Sequence, residues 1–122
     1  MNKNRNFKSA LCFALAGIKH TATRERNFRI QCCIGILALV FCFIFRVDGG
    51  YFLAVVLSIF FVLAMELVNT AVEAVVDLVC NNTPHPLAKI AKDAAAGAVL
   101  LASFQAVIVG AVVIISVIRR CM

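Results

Sequence analysis

Charged residues and helix-breaking residues are scarce in this sequence. Only 15% of the 122 residues are charged and only two are proline, whereas 63% are apolar. A soluble domain has about 25% charged and about 45–50% apolar residues. Because a short chain buries only a small fraction of its surface in its own core, the excess apolar surface requires a lipid solvent. The sequence therefore predicts a single integral membrane domain, residues 1–122, built from α-helices.

Several functional motifs are also missing. No G-x-x-x-x-G-K-[ST] loop is present, so the chain is not a Walker-type kinase. The six cysteines form no C-x-x-C pair and no zinc-site spacing with histidine, and we interpret them as small apolar fillers. No cleavable signal peptide is expected. The net charge of +6 comes from residues that flank apolar runs, which favours anionic lipid headgroups over nucleic acid as partners.

The N-terminal segment, residues 1–29, holds seven of the twelve Lys and Arg residues. Within it, Phe7, Leu11, Ala14 and Ile18 recur at helical spacing. This pattern predicts an amphipathic helix on the cytoplasmic membrane surface, with a disordered basic tail as the alternative.

Three apolar runs follow this segment and suggest transmembrane helices. The first has 16 uncharged residues between Arg29 and Arg46, slightly short of a full span, but these flanking arginines can snorkel. They cover residues 30–47, 51–79 and 94–118, with a tight turn at 48–50 and a cytoplasmic loop at 80–93. The N-terminal segment and this loop together hold nine Lys and Arg residues, against three on the opposite side. The positive-inside rule therefore predicts a cytoplasmic N-terminus and an external C-terminus.

The third run carries small residues spaced by four, which favours close helix packing in lipid and hence an oligomer. Ordinary alanine content is the alternative. The members of this small-residue stripe are Ala94, Ala98, Ala102, Ala106 and Gly110.

The second run contains three carboxylates in helical register. Glu66, Asn69, Glu73 and Asp77 fall within an arc of roughly 80° on one helix face. A carboxylate near the bilayer centre costs about 2.5 kcal/mol or more, and like charges at this spacing repel each other. Solvation at the interface could explain Asp77, but Glu66 lies roughly 16 Å deeper. The oxygen donors suit Mg²⁺ or Mn²⁺.

Two further groups could join these acids. Lys92 and Asp93 precede the third run at its cytoplasmic end, where a lysine can meet a phosphate. Glu25 is the only acid in the N-terminal segment and could also be a surface ion pair. Acids inside membranes mark ion paths as well as catalytic sites, so a small cation channel or carrier is the non-enzymatic alternative.

The twelve-residue segment from Glu66 to Asp77, ELVNTAVEAVVD, resembles the signature of the prokaryotic diacylglycerol kinase family, which includes undecaprenol kinases. Residues 25–29, 91–93 and 96–100 also match in order and spacing. The resemblance implies a homotrimer of three-span subunits in the bacterial inner membrane, each with an N-terminal surface helix. It also implies ATP-dependent phosphorylation of a lipid hydroxyl on the cytoplasmic side.

The resemblance assigns a role to each candidate residue. Glu66 corresponds to the catalytic base, and Glu25 and Glu73 correspond to the residues that hold Mg²⁺ with the nucleotide. A nucleotide-contacting arginine of relatives could correspond to Arg5, to Lys8 or to neither. The residues implied to serve the lipid or the nucleotide are Asn69, Asp77, Lys92 and Asp93.

The same resemblance favours one lipid. Residues 25–30 and 85–93 are more similar to the undecaprenol kinase branch, and the chain lacks the tryptophans expected of diacylglycerol-using relatives. We therefore expect undecaprenol to be the preferred acceptor, with diacylglycerol as the alternative. The product would feed the undecaprenyl phosphate pool for envelope synthesis.

Overall fold

The computed structural model describes residues 6–122, and these residues form four α-helices without a strand. The helices are α1 (Phe7–Arg24), α2 (Arg26–Ile44), α3 (Gly49–Cys80) and α4 (Pro86–Cys121). Helices α2, α3 and α4 are each long and apolar enough to cross a membrane. The all-helical fold with three candidate membrane spans is therefore confirmed. Arg5 lies outside the described residues.

Helix α4 begins earlier than the sequence pattern predicts. The pattern predicts a loop at residues 80–93, but residues 86–93 form the first two turns of α4. Pro86 occupies the first helical turn, where its missing N–H needs no acceptor. His85 caps the helix, since its Nδ1 accepts a hydrogen bond of 3.1 Å from the Leu87 N–H. The true loop is short, and Asn81 and Asn82 turn the chain in the left-handed region.

The connection between α2 and α3 also differs from the expected turn at residues 48–50. Gly49 and Gly50 belong to α3, and the chain reverses instead at Arg46, which has a φ of 48°. The guanidinium of Arg120, at the end of α4, donates hydrogen bonds to the carbonyls of Phe45 and Arg46. This contact ties the end of α4 to the α2–α3 connection and satisfies carbonyls that the end of α2 leaves free.

Helices α3 and α4 form an antiparallel hairpin. The Gln105 amide donates to the Ser58 hydroxyl at 2.9 Å, and Lys92 meets Asp77 nearer the loop. Ala102 is fully buried in this hairpin, so part of the small-residue stripe packs within one protomer. On the other face of α3, Gly35 lets α2 approach closely, because a Cβ there would lie 2.9 Å from Ile59 Cγ2.

Helix α1 packs against both α2 and α3. It ends at Glu25, whose N–H donates to the Thr21 carbonyl at 2.7 Å. Arg29, on the first turn of α2, donates from Nη1 to the carbonyls of Ala22 and Thr23. These bonds cap the end of α1 and fix the sharp junction at which Glu25 lies.

Candidate active site

The centre of the candidate site is Glu66 on α3. It is 5% exposed and is the only charged side chain that is buried within residues 6–122. Burying an unpaired carboxylate is strongly unfavourable, so the burial of Glu66 calls for a function. Glu66 lies on the α3 face that also carries Asn69, Glu73 and Asp77, as the helical spacing predicted.

Glu25 and Glu73 are the two carboxylates close enough to repel Glu66 electrostatically. Glu73 follows it by two turns of α3, whereas Glu25 is 41 positions earlier in the chain and comes from the α1–α2 junction. Both side chains are half-buried. The fold therefore places three carboxylates around one region, with α1 and α2 contributing one of them.

Asn69 lies between the two acids of α3. Its amide nitrogen donates to Glu73 Oε1 at 3.4 Å, a long and weak bond. Its carbonyl oxygen, Oδ1, is buried and has no hydrogen-bond partner. An unsatisfied buried acceptor costs free energy, so this atom is available to a cation or to a donor on a bound molecule.

Two ion pairs lie nearer the α3–α4 loop. Lys92 Nζ is 2.6 Å from Asp77 Oδ1 and joins the two helices. Lys89 pairs with Asp93 one turn apart on α4, at 2.5 Å and with both side chains largely exposed. All four residues line an open cavity of about 720 Å³, which Val76, Cys80, Ala88 and residues 82–86 complete.

The structure thus groups the predicted residues in two neighbouring regions on α3. Glu25, Glu66, Asn69 and Glu73 surround the buried carboxylate, whereas Asp77, Lys92 and Asp93 line the loop cavity. Lys8 is exposed near the start of α1, about 25 Å along the helix from Glu25, so this protomer does not bring it to the acids.

Sequence reasoning did not single out two residues that the structure places here. Lys89 lines the loop cavity, and its spacing of four from Asp93 is a signal that the sequence did contain. Arg29 positions Glu25 through bonds to backbone carbonyls, which no sequence pattern reveals.

The carboxylates do not form a complete metal site by themselves. Within residues 6–122, no three Cys, His, Asp or Glu side chains are arranged to hold a metal ion. The oxygen donors that are present still suit a hard cation, because Glu25 and Glu73 face the same region and Asn69 Oδ1 lacks a partner. A bound cation would therefore need further oxygens from another molecule, such as the phosphates of a nucleotide.

Comparison with known proteins identifies the family. The family profile described as Prokaryotic diacylglycerol kinase matches residues 12–114. A Synechocystis protein named diacylglycerol kinase is 43% identical over 80% of this chain, and the match covers 56% of that protein's length. A Bacillus subtilis protein named undecaprenol kinase is 40% identical over 88% of this chain, and the match covers 85% of that protein's length.

More distant relatives are also named diacylglycerol kinase. The Escherichia coli K12 diacylglycerol kinase is 32% identical over 79% of this chain and 78% of its own length. The profile matches most of the sequence, and the fold has three candidate membrane spans and a buried glutamate on α3. The chain therefore belongs to the prokaryotic diacylglycerol kinase family and is a lipid kinase of the bacterial membrane.

Proposed function

We propose that this lipid kinase transfers the γ-phosphate of ATP to the hydroxyl of undecaprenol at the cytoplasmic surface of the membrane. The observation that carries the proposal is the buried Glu66, which lies on a membrane helix with Glu25 and Glu73 beside it and a lysine-containing cavity nearby. A cation channel, the non-enzymatic alternative, is not supported, because the family is one of kinases.

Glu66 is the proposed base. A glutamate at this depth meets the acceptor hydroxyl where the lipid headgroup enters the membrane, and its carboxylate can take the hydroxyl proton as the oxygen attacks phosphorus. Phosphoryl transfer otherwise requires positioning and neutralisation of charge, with little covalent work by the protein. Lys92 and Lys89 supply positive charge at the loop cavity, the larger space beside the site, which we assign to the nucleotide.

Mg²⁺ is the proposed cofactor. Glu25 and Glu73 would hold it together with the nucleotide phosphates, and Asn69 Oδ1 is a further oxygen without a partner. When bound, such an ion neutralises the charge that develops on the transferring phosphoryl group. Asp77 orients Lys92 through its 2.6 Å ion pair, and Asp93 orients Lys89 in the same way.

The proposed orientation puts the N-terminus and the α3–α4 loop in the cytoplasm and the C-terminus outside. The N-terminal segment and the loop region carry most of the Lys and Arg residues, which supports this orientation. In the same proposal α1 lies on the membrane surface, where its exposed Phe7, Leu11 and Ile18 contact lipid.

The names of the relatives divide between two acceptor lipids. Support for undecaprenol comes from the Bacillus subtilis relative, which is matched over 85% of its length. The absence of tryptophan adds to it. Diacylglycerol, which would give phosphatidic acid, is the second candidate because the Synechocystis relative carries that name at 43% identity.

A comparison of the two lipids tests the choice. We expect undecaprenol to be phosphorylated with the higher kcat/KM and diacylglycerol to be phosphorylated measurably, because apolar walls discriminate by only about 1–3 kcal/mol. Both kcat/KM values should be measured in the same mixed micelles, with equal acceptor fractions. A preference for diacylglycerol of about tenfold or more would assign the protein to the other branch.

The protein is also proposed to be a homotrimer. Three spans enclose little volume, and much apolar surface of α2 and α4 faces outward, although some of this surface contacts lipid. Part of the small-residue stripe remains accessible, since Ala94 is exposed and Ala98 is half-buried. Native mass spectrometry in mild detergent should give three subunits per particle. A monomeric particle with full kinase activity would disprove this expectation.

A further inference from the structure

A narrow cleft opens among α2, α3 and α4 on the membrane-centre side of Glu66. Its volume is about 330 Å³, and each of the three helices contributes to its wall. Ser58 is one of few polar residues there, and its hydroxyl is already satisfied. It donates to the Ala54 carbonyl at 2.8 Å and accepts from Gln105 at 2.9 Å. The wall therefore presents an almost entirely apolar surface.

The cleft ends close to the buried carboxylate. Val62 lines it and lies one helical turn before Glu66 on the same face of α3, and both residues are buried. Val55, two further turns away, also lines it. The wall thus follows α3 for about 10 Å toward the middle of the membrane, starting close to the proposed base.

The shape of the cleft suits a thin occupant. Gly35, Ala38, Ala106 and Gly110 keep the wall open, because each has a minimal side chain. A single hydrocarbon chain is much thinner than an α-helix, which is about 10–12 Å wide with its side chains. The cleft, with a volume of about 330 Å³, is therefore suited to a chain molecule.

We infer that this cleft holds the part of an isoprenoid tail nearest the acceptor hydroxyl. The inference rests on the proposed function, which supplies a polyprenol as substrate. A polyprenol has one methyl-branched chain that starts at its hydroxyl, so one narrow cleft that ends one helical turn from Glu66 suits it. Diacylglycerol carries two chains on one glycerol, and only one of them could enter. The cleft thus selects for single-chain alcohols.

Gly110 offers a way to fill the cleft without disturbing the helices. Gly110 lines the cleft, and a Cβ at this position would meet no atom within 4 Å, so the substitution Gly110→Leu can begin there without a backbone clash. The matched control is Ala111→Leu, which adds the same side chain at the next, exposed position of α4. By the antiparallel register, Gly110 lies across from Val55, at the end of the cleft far from Glu66.

The kinetic experiment compares undecaprenol with a five-carbon prenol, which is too short to reach Gly110. We expect Gly110→Leu to lower kcat/KM for undecaprenol by about tenfold or more, and to change it for the short alcohol by less than about twofold. Ala111→Leu should behave as the parent protein with both acceptors. Equal losses for the two alcohols, or no loss for undecaprenol, would overturn the inference.

A labelling experiment tests the occupant independently of turnover. A prenol with a photoreactive diazirine on its third isoprene unit should label peptides that line the cleft, and Gly110→Leu should abolish this labelling. Labelling elsewhere, in a protein that phosphorylates undecaprenol normally, would refute the cleft assignment and leave the proposed function intact. Labelling in the cleft without phosphorylation would refute the polyprenol kinase function instead. Cross-links between copies through Gly110→Cys, with no labelling, would assign the cleft to a second subunit.

Discussion

Glu66→Gln is expected to lower turnover by roughly a hundredfold or more, with the fold and oligomeric state retained. The substitution keeps the shape of the side chain and removes the carboxylate that accepts the hydroxyl proton. A general base typically contributes about 10²–10⁴-fold to the reaction rate. Because Glu66 is 5% exposed and lies near two other carboxylates, replacing its charge with a neutral amide should not weaken folding. Turnover at saturating ATP and lipid measures the loss of activity. Thermal unfolding in detergent measures the stability of the fold.

The matched control is Asp48→Asn. Asp48 precedes α3 at the opposite end of the helix and makes no side-chain capping bond, so its substitution removes one acid without touching the site. It should leave turnover within about twofold of the parent value, as expected for a surface change. If Glu66→Gln also retains near-normal turnover, Glu66 is not the base.

The acidic face of α3 was predictable because it is a local property. The spacing of Glu66, Asn69 and Glu73 places them on one side of any helix, whatever packs against it. The depth of Glu66 was predictable too, since uncharged residues precede it for four turns. The structure adds the burial of the Glu66 side chain, which depends on how the other helices pack around α3.

The position of Glu25 was not predictable from residue patterns, and only the family resemblance pointed to it. Its approach to Glu66 depends on the break between α1 and α2, which Arg29 stabilises through carbonyls six and seven residues earlier. Such tertiary contacts leave no periodic signal in the sequence. The same holds for the unpartnered oxygen of Asn69, since only packing decides which buried atoms lack a partner.

The start of α4 shows a different kind of error. The run from Asn81 to Pro86 was interpreted as the beginning of a long loop, although proline is favoured in the first turn of a helix. With Pro86 in that role, Lys89 and Lys92 lie on a rigid helix and face the loop cavity together. The small-residue stripe had a related ambiguity, because spacing alone does not tell whether Ala102 packs within a protomer or between protomers.

The second large effect is expected at the proposed metal site. Glu25→Gln and Glu73→Gln should each raise the Mg²⁺ concentration that gives half-maximal activity by about tenfold or more. Changes in the groups that merely support metal ligands already cost about 10–100-fold in metal affinity, and these substitutions would remove a ligand itself. Mg²⁺ titrations at fixed ATP measure the shift, with Asp48→Asn as the control for loss of one negative charge.

The two substitutions together test whether the site is shared across the fold. Glu25 and Glu73 come from different helices, and both lie close enough to Glu66 to act on it. If both residues hold one ion with the nucleotide, the double variant should need little more Mg²⁺ for half-maximal activity than the single variant with the larger shift. The effects of substitutions at residues that bind the same ion are not additive. A shift for Glu73→Gln alone would place Glu25 outside the metal site. Titrations of both single variants that overlay the parent curve would refute the metal assignment altogether, whereas the role of Glu66 would stand on its own test.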